Sequence, residues 1–275
     1  MKKEERLTKK LYTEQAGYEW KRLIKDEFHK LEFDTTLYFL KKHLPKKGLI
    51  LDAGGGPGRY TIELAKAGYN VVLLDLVPAN LELAKKQIKK TKVQNKIKGI
   101  VEDSIVNLSK FKGNTFDAVL CLGGPLSHVH PEKNRRRAIS ELIRVAKKKT
   151  PIFVSVMGKF GTILESPPRW PHEIKMTKHW EEFAYQGEDY MWHGGKGYCH
   201  FFTIEELENL FDKHKIKMLE RVGLEGLASA SGEAISKIFK DKKIKTNWLK
   251  MHYKFCTHPS IVDTSLHMMT IVKKV

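Results

Sequence analysis

The chain has 275 residues, 41% of them hydrophobic and 30% charged, and a formal net charge of +18. That composition supports a sizeable packed core and excludes disorder as the dominant state. No apolar run approaches the roughly 18–20 residues that cross a bilayer. Residues 1–10 lack the apolar stretch of a secretory signal, and Cys121, Cys199 and Cys256 are far apart, with no disulfide or metal-ligand spacing. Reduced thiols, no metal site, no membrane span and a cytoplasmic location are therefore expected.

Residues 1–45 carry helical periodicity, with Leu37, Leu40 and Leu44 at helical spacing before Pro45 and Gly48 stop it. Short apolar runs then alternate with amphipathic stretches. Strands are predicted at 49–53, 71–74, 98–101, 116–122 and 152–157. Helices are predicted at 59–67, 78–90 and 131–146, and Leu81, Ala84 and Ile88 share one face of the second. Strands alternating with helices of this length form βαβ units, and near-continuous apolar strands are buried on both faces of a parallel sheet.

The alternation breaks at Gly158. Residues 158–200 are rich in Pro, Trp, Tyr, His and Gly, and Trp170, Trp180, Tyr185, Tyr190, Trp192, His193 and His200 are candidates to wall an apolar pocket or to form the core of a lobe. Order returns at a capping box, Thr203 with Glu206, which opens a helix running to about Phe211. Strands are expected at 216–222 and 267–272, with a partly helical insertion over 224–262. The domain reading is an N-terminal helical lid (1–45), an α/β core (46–157), a cap insertion (158–202) and the C-terminal part of the core (203–275).

The chemistry concentrates between residues 48 and 76. Asp52-Ala53-Gly54-Gly55-Gly56-Pro57-Gly58 follows a strand and opens a helix. Glycines there permit positive φ and close approach of a ligand to the backbone, and a helix N-terminus favours an anionic group. Asp75 ends the second strand, where a carboxylate can accept from ribose hydroxyls. A nicotinamide fingerprint would need a small residue where Arg59 stands.

The string from Leu49 to Thr61 resembles the first motif of the class I S-adenosylmethionine (SAM)-dependent methyltransferases. Asp75, Glu102-Asp103, the strand opening Phe116-Asp117-Ala118-Val119 and the terminal strand pair are similar to that family as well. The resemblance implies a doubly wound, mostly parallel seven-stranded α/β sheet with a reversed C-terminal strand, plus cap insertions, and SAM as cofactor. It further implies that Gly54, Gly56 and Gly58 form the loop beside the methionyl part. Asp52 would orient that loop or reach the ammonium through water. Asp75 would hold the ribose, Leu76 would lie against the adenine, and Asp103 and Ser104 would serve the adenine amino group, with a helix N-cap as the alternative role of Asp103. Leu122 and Gly123 would lie beside the methyl group. His128 is the candidate catalytic base or donor, and capping the next helix is its alternative. Tyr12 and Tyr18 are candidates for a lid over the cofactor, with ordinary helix packing as the alternative.

A capped pocket favours a small-molecule methyl acceptor. The net charge and Arg135-Arg136-Arg137 keep a second reading open, with RNA as acceptor. A non-enzymatic SAM-binding module is the third.

Overall fold

The computed structural model describes residues 3–275. Two helices come first, α1 (Lys3–Arg22) and α2 (Glu27–His43). The predicted helical stretch 1–45 divides here because Asp26 is extended and its carboxylate caps α2 by accepting from His29 N. Strands and helices then alternate: β1 (Leu49–Ala53), α3 (Arg59–Lys66), β2 (Asn70–Asp75), α4 (Pro78–Lys90), β3 (Ile97–Glu102), β4 (Ala118–Cys121), α5 (Glu132–Val145) and β5 (Pro151–Met157). β4 is shorter than the expected 116–122. Phe116 makes only an isolated bridge to Ala146, and Gly123 turns the chain at positive φ.

Residues 158–202 are more ordered than their composition suggests. They form α6 (Lys159–Arg169), α7 (Pro171–Ile174), α8 (Thr177–Gln186), β6 (Glu188–Asp189), a helical turn α9 (Trp192–Gly195) and β7 (Cys199–His200), which pairs antiparallel with β6. Phe183, Cys199 and Phe201 are the core of this lobe. The capping box at Thr203 and Glu206 is present, with both reciprocal bonds, and opens α10 (Ile204–Asn209), which ends before Phe211. β8 (Ile216–Gly223) follows. The insertion after it holds α11 (Gly232–Ile238), α12 (Lys242–Phe255) and α13 (Pro259–Val262), and β9 (His267–Lys274) ends the chain.

The seven long strands form one sheet in the order β3-β2-β1-β4-β5-β9-β8. The first five are parallel, and β9 runs antiparallel to both β5 and β8. Side chains of β1 alternate between the two faces. Leu51 and Ala53 join Val119, Leu142 and Phe202 on one side, while Ile50 joins Phe39, Leu64 and Phe153 on the other. All of these are buried. Truncating any of the large ones to alanine would cost about 2–5 kcal/mol. α2 also packs its Phe28 and Leu31 against Ile235 and Phe239, which ties the 224–262 insertion to the N-terminal region.

Strand order reverses between β1 and β4. The crevice beyond the carboxyl ends of these two strands is where open α/β sheets bind ligands. Among the described residues, no helix is long and apolar enough to cross a membrane.

Candidate functional site

At the end of β1 the chain turns sharply, and the amides of Gly54 and Gly55 both donate to Leu74 O on β2. Gly54 has φ +76, and a Cβ there would lie 2.6 Å from Pro125 in the loop after β4. The two loops therefore interlock at the switch point. Gly56 has φ +56, but a Cβ there would meet nothing closer than Asn80 Nδ2 at 3.9 Å, because it would enter open space.

That space is a cavity of about 390 Å³, and Tyr12, Gly54, Gly56, Asp75, Leu76, Ser104, Leu122, Gly123 and His128 line it. Asp75 spends its carboxylate on the loop. Oδ2 accepts from Gly56 N at 2.8 Å, and Oδ1 accepts from Val77 N and Asn80 Nδ2. Burial pushes the Asp75 carboxyl above its ordinary range, against those three donors. Asn80 presents a buried Oδ1 without a protein partner.

Four expected cofactor residues do not line this cavity. Asp52 is buried behind the loop, with Oδ2 accepting from Thr61 Oγ1 at 2.6 Å and Oδ1 unpartnered. Burial pushes its carboxyl to about 6. Gly58 is the left-handed residue that starts α3, so its place is structural. Asp103 pairs with Lys110 at 3.0 Å and accepts from Ser104 N. It caps no α-helix, because the chain runs to β4 without one. Tyr18 is half exposed, accepts from Lys25 Nζ, and lines the neighbouring chamber instead of this cavity.

His128 sits in a 3₁₀ turn after β4 with both ring nitrogens engaged. Nδ1 lies 2.8 Å from Tyr198 O and Nε2 lies 2.7 Å from Tyr12 Oη. A carbonyl only accepts, so Nδ1 carries the proton and Nε2 accepts from Tyr12. Burial pushes the imidazole down to about 4, so the ring is neutral. It does not cap α5, whose N-terminus has no side-chain cap.

A second chamber, of about 330 Å³, adjoins the first, and Tyr12, Glu19, Arg22 and Gly123 line both. Its walls come from α1, α2, the cap, the turn at Glu225 and the start of β9. Trp170, Trp192 and His193 reach it. Trp180 instead packs against Phe183 in the cap core, Tyr185 and Tyr190 face outward, and His200 is buried against Glu188 and Phe202.

A buried ionic network at this chamber escaped sequence reasoning. Arg22 donates to both oxygens of Glu32, at 2.7 and 3.3 Å, and to Glu19 at 3.3 Å. Glu32 lies 3.8 Å from His267, which is bonded to Glu225 at 2.6 Å. Burial opposes the charge on His267, but Glu32 and Glu225 hold its pKa up at about 8. A carboxylate oxygen of Glu32, one of Glu225 and a ring nitrogen of His267 lie within 4.8 Å of one another, a spacing that the protonated imidazole between two carboxylates accounts for. One signal was available: Glu32 falls on the same helical stripe as Phe28, Thr35 and Phe39, all buried.

The arginine triplet is not a free basic patch. Arg135 is buried, bonding Tyr198 Oη, Val129 O and Glu188. Arg136 bonds Glu132 and Asn209 O, and Arg137 lines the first cavity.

Residues 50–149 match the family model described as a methyltransferase domain. The glycine/sarcosine N-methyltransferase of Aphanothece halophytica is 31% identical over 108 residues, covering 39% of either protein. The ubiquinone/menaquinone biosynthesis C-methyltransferase UbiE of Zymomonas mobilis is 34% identical over 121 residues, covering 44% of each. The match thus spans less than half the length of these curated relatives. Among solved structures, a SAM-dependent methyltransferase from Methanosarcina mazei superposes with TM-score 0.58 at 21% identity, over 86% of this chain and 97% of that one. That likeness is one of fold.

Proposed function

We propose that this chain is a class I SAM-dependent methyltransferase that transfers a methyl group to a small molecule held in the second chamber. One observation carries the reading: the cavity at the glycine loop and that chamber meet at Tyr12, Glu19, Arg22 and Gly123, which line both.

The residues of the first cavity fit SAM. Gly56 leaves room where any side chain would intrude, Leu76 and Ile105 offer apolar surface for an adenine, and Asp75 stands at the strand end suited to a ribose. In the present arrangement the Asp75 oxygens bond the loop, so ribose hydroxyls would share or replace the Gly56 contact. Bound there, SAM supplies a methyl carbon already activated by the sulfonium.

The remaining work falls to the protein. Gly123 at the shared neck permits close approach, with its amide held by Ser155 Oγ at 2.8 Å. α1 supplies Tyr12, Glu19 and Arg22 to the walls of both cavities, and positioning of two reactants supplies several kcal/mol of a barrier. His128 is assigned to positioning Tyr12, not to proton transfer, because its basic nitrogen is already engaged.

Relatives whose names specify N- and C-methylation do not fix the acceptor atom. RNA as acceptor draws no support from Arg135-Arg136-Arg137, two of which are bonded internally. The test is isothermal titration with S-adenosylhomocysteine, followed by transfer from labelled SAM to small-molecule and RNA fractions of a cell extract. Binding with label in the small-molecule fraction is expected. Absence of binding removes the reading, and label in RNA alone moves the acceptor.

A further inference from the structure

The walls of the second chamber are unevenly charged. Glu19, Glu32, Glu165, Glu173, Asp189 and Glu225 line it, against two guanidinium groups, Arg22 and Arg169, and the imidazolium of His267, which is bonded to Glu225. Both guanidinium groups are committed. Arg22 bonds Glu32 and Glu19, and Arg169 lies 3.3 Å from Glu165. Aromatic rings of Trp170, Trp192, Phe183 and Phe201 supply the rest of the lining. Glu19 lines both cavities, on the path between cofactor and acceptor, and only its Oε2 is held, by Arg22 Nε.

Resting on the methyltransferase reading, we infer that the second chamber receives a small amine in its ammonium form, with Glu19 as the carboxylate that grips it at the neck. Three features converge on this chemistry. An anionic acceptor would enter against six carboxylates with no uncommitted cation to meet it. A neutral acceptor would leave the excess of carboxylates over cations, and the second oxygen of Glu19 in particular, without a counter-charge. Aromatic faces attract an ammonium through the ring quadrupole, and more strongly where water is excluded.

Two of these carboxyls stand above their ordinary range. Burial raises Glu19 above its ordinary range, against the opposing pull of Arg22. Burial likewise pushes Glu165 up to about 7, with Arg169 opposing and Glu225 adding to the rise. An ammonium placed among them would lower both.

The transfer step balances without a further reactant. An ammonium N–H proton passes to the Glu19 carboxylate and from there to solvent. The freed nitrogen lone pair attacks the methyl carbon, a C–N bond forms, and the C–S bond breaks with its electron pair retained by sulfur. The products are the methylated amine and neutral S-adenosylhomocysteine.

The test titrates S-adenosylhomocysteine-loaded protein with phenethylamine, ethanolamine and cadaverine. Neutral 2-phenylethanol and anionic phenylacetate serve as isosteric controls. At least one amine is expected to bind tenfold or more tightly than the controls. Glu19→Gln should weaken that amine at least tenfold. Glu165→Gln, which lies outside the cofactor cavity, should weaken it while leaving S-adenosylhomocysteine affinity within twofold. Amines that bind no better than their isosteres overturn the inference, as does amine affinity indifferent to both substitutions. Loss of S-adenosylhomocysteine binding by the unmutated protein would instead remove the cofactor reading beneath it.

Discussion

Tyr12 Oη lies 2.7 Å from His128 Nε2, a contact that joins α1 to the turn after β4 across 116 residues of chain. The opposite ring nitrogen is fixed to Tyr198 O, so the imidazole cannot rotate away without breaking that bond as well. A neutral, fully oriented histidine thereby latches the N-terminal helix over the cofactor cavity. Tyr12→Phe removes the hydroxyl and leaves a buried nitrogen without its donor, at about 1–3 kcal/mol. Amide exchange across residues 3–22 should accelerate, and S-adenosylhomocysteine should bind roughly tenfold more weakly. Unchanged exchange in the variant would show that α1 is held by other contacts.

Asp52 gives a prediction in which stability and pH are linked. Its carboxyl is pushed to about 6 by burial, above the unfolded value near 3.9. The folded state thus disfavours the charged form. The destabilisation is absent below the unfolded pKa and fully present above the folded one. Asp52→Asn keeps an oxygen for Thr61 Oγ1 and removes the charge, so it should stabilise the protein by up to about 3 kcal/mol at pH 8. Thermal melts of both proteins at pH 8 and pH 4 measure the difference, which should shrink at the lower pH. A variant less stable at pH 8 would mean that the carboxylate is compensated in the fold.

The sheet was legible in the sequence because each of its parallel strands announces itself locally. Leu49–Ala53 is apolar, the glycines follow at once, and Asp75 ends the next strand. The acceptor side was not legible, because its contacts are remote in sequence. Glu32 meets Arg22 within the N-terminal helices, but the network closes only through Glu225 and His267. No periodicity links residues some two hundred positions apart. Tyr12 was singled out for its place ahead of the sheet, and the partner that fixes it was identified independently, as a base. The cap misled for a different reason. Pro167 and Pro168 lie inside α6, where composition argues for a break, yet the helix runs on to Arg169.

Two glycines of one loop separate folding from binding. Gly54→Ala puts a Cβ 2.6 Å from Pro125 at a positive φ, so both strain and collision fall on the interlocked loops. It should lower the melting temperature markedly and weaken binding as a consequence. Gly56→Ala meets only the conformational penalty of about 1–2 kcal/mol, because its Cβ enters the cavity and not the protein. Its melting temperature should fall less than that of Gly54→Ala, while S-adenosylhomocysteine affinity drops tenfold or more. Calorimetry and titration on the two variants decide this. Equal affinity of Gly56→Ala and the unmutated protein would place the ligand elsewhere.

His267 sets the alkaline edge of the ionic network. Its pKa is held at about 8, above the ordinary 6.5, by Glu32 and Glu225 despite burial. A histidine raised in the fold contributes stability that is fully present below the unfolded pKa and is lost as pH rises through the folded one. Here that places the loss between about pH 6.5 and 8, and the contribution is on the order of 2 kcal/mol. Glu32, held low by Arg22 and by His267 against its own burial, works in the opposite direction and falters only in acid. His267→Gln should therefore melt several degrees below the unmutated protein at pH 6, and the two melts should converge near pH 9. The convergence is the discriminating result, since a merely steric defect would separate the melts equally at both pH values.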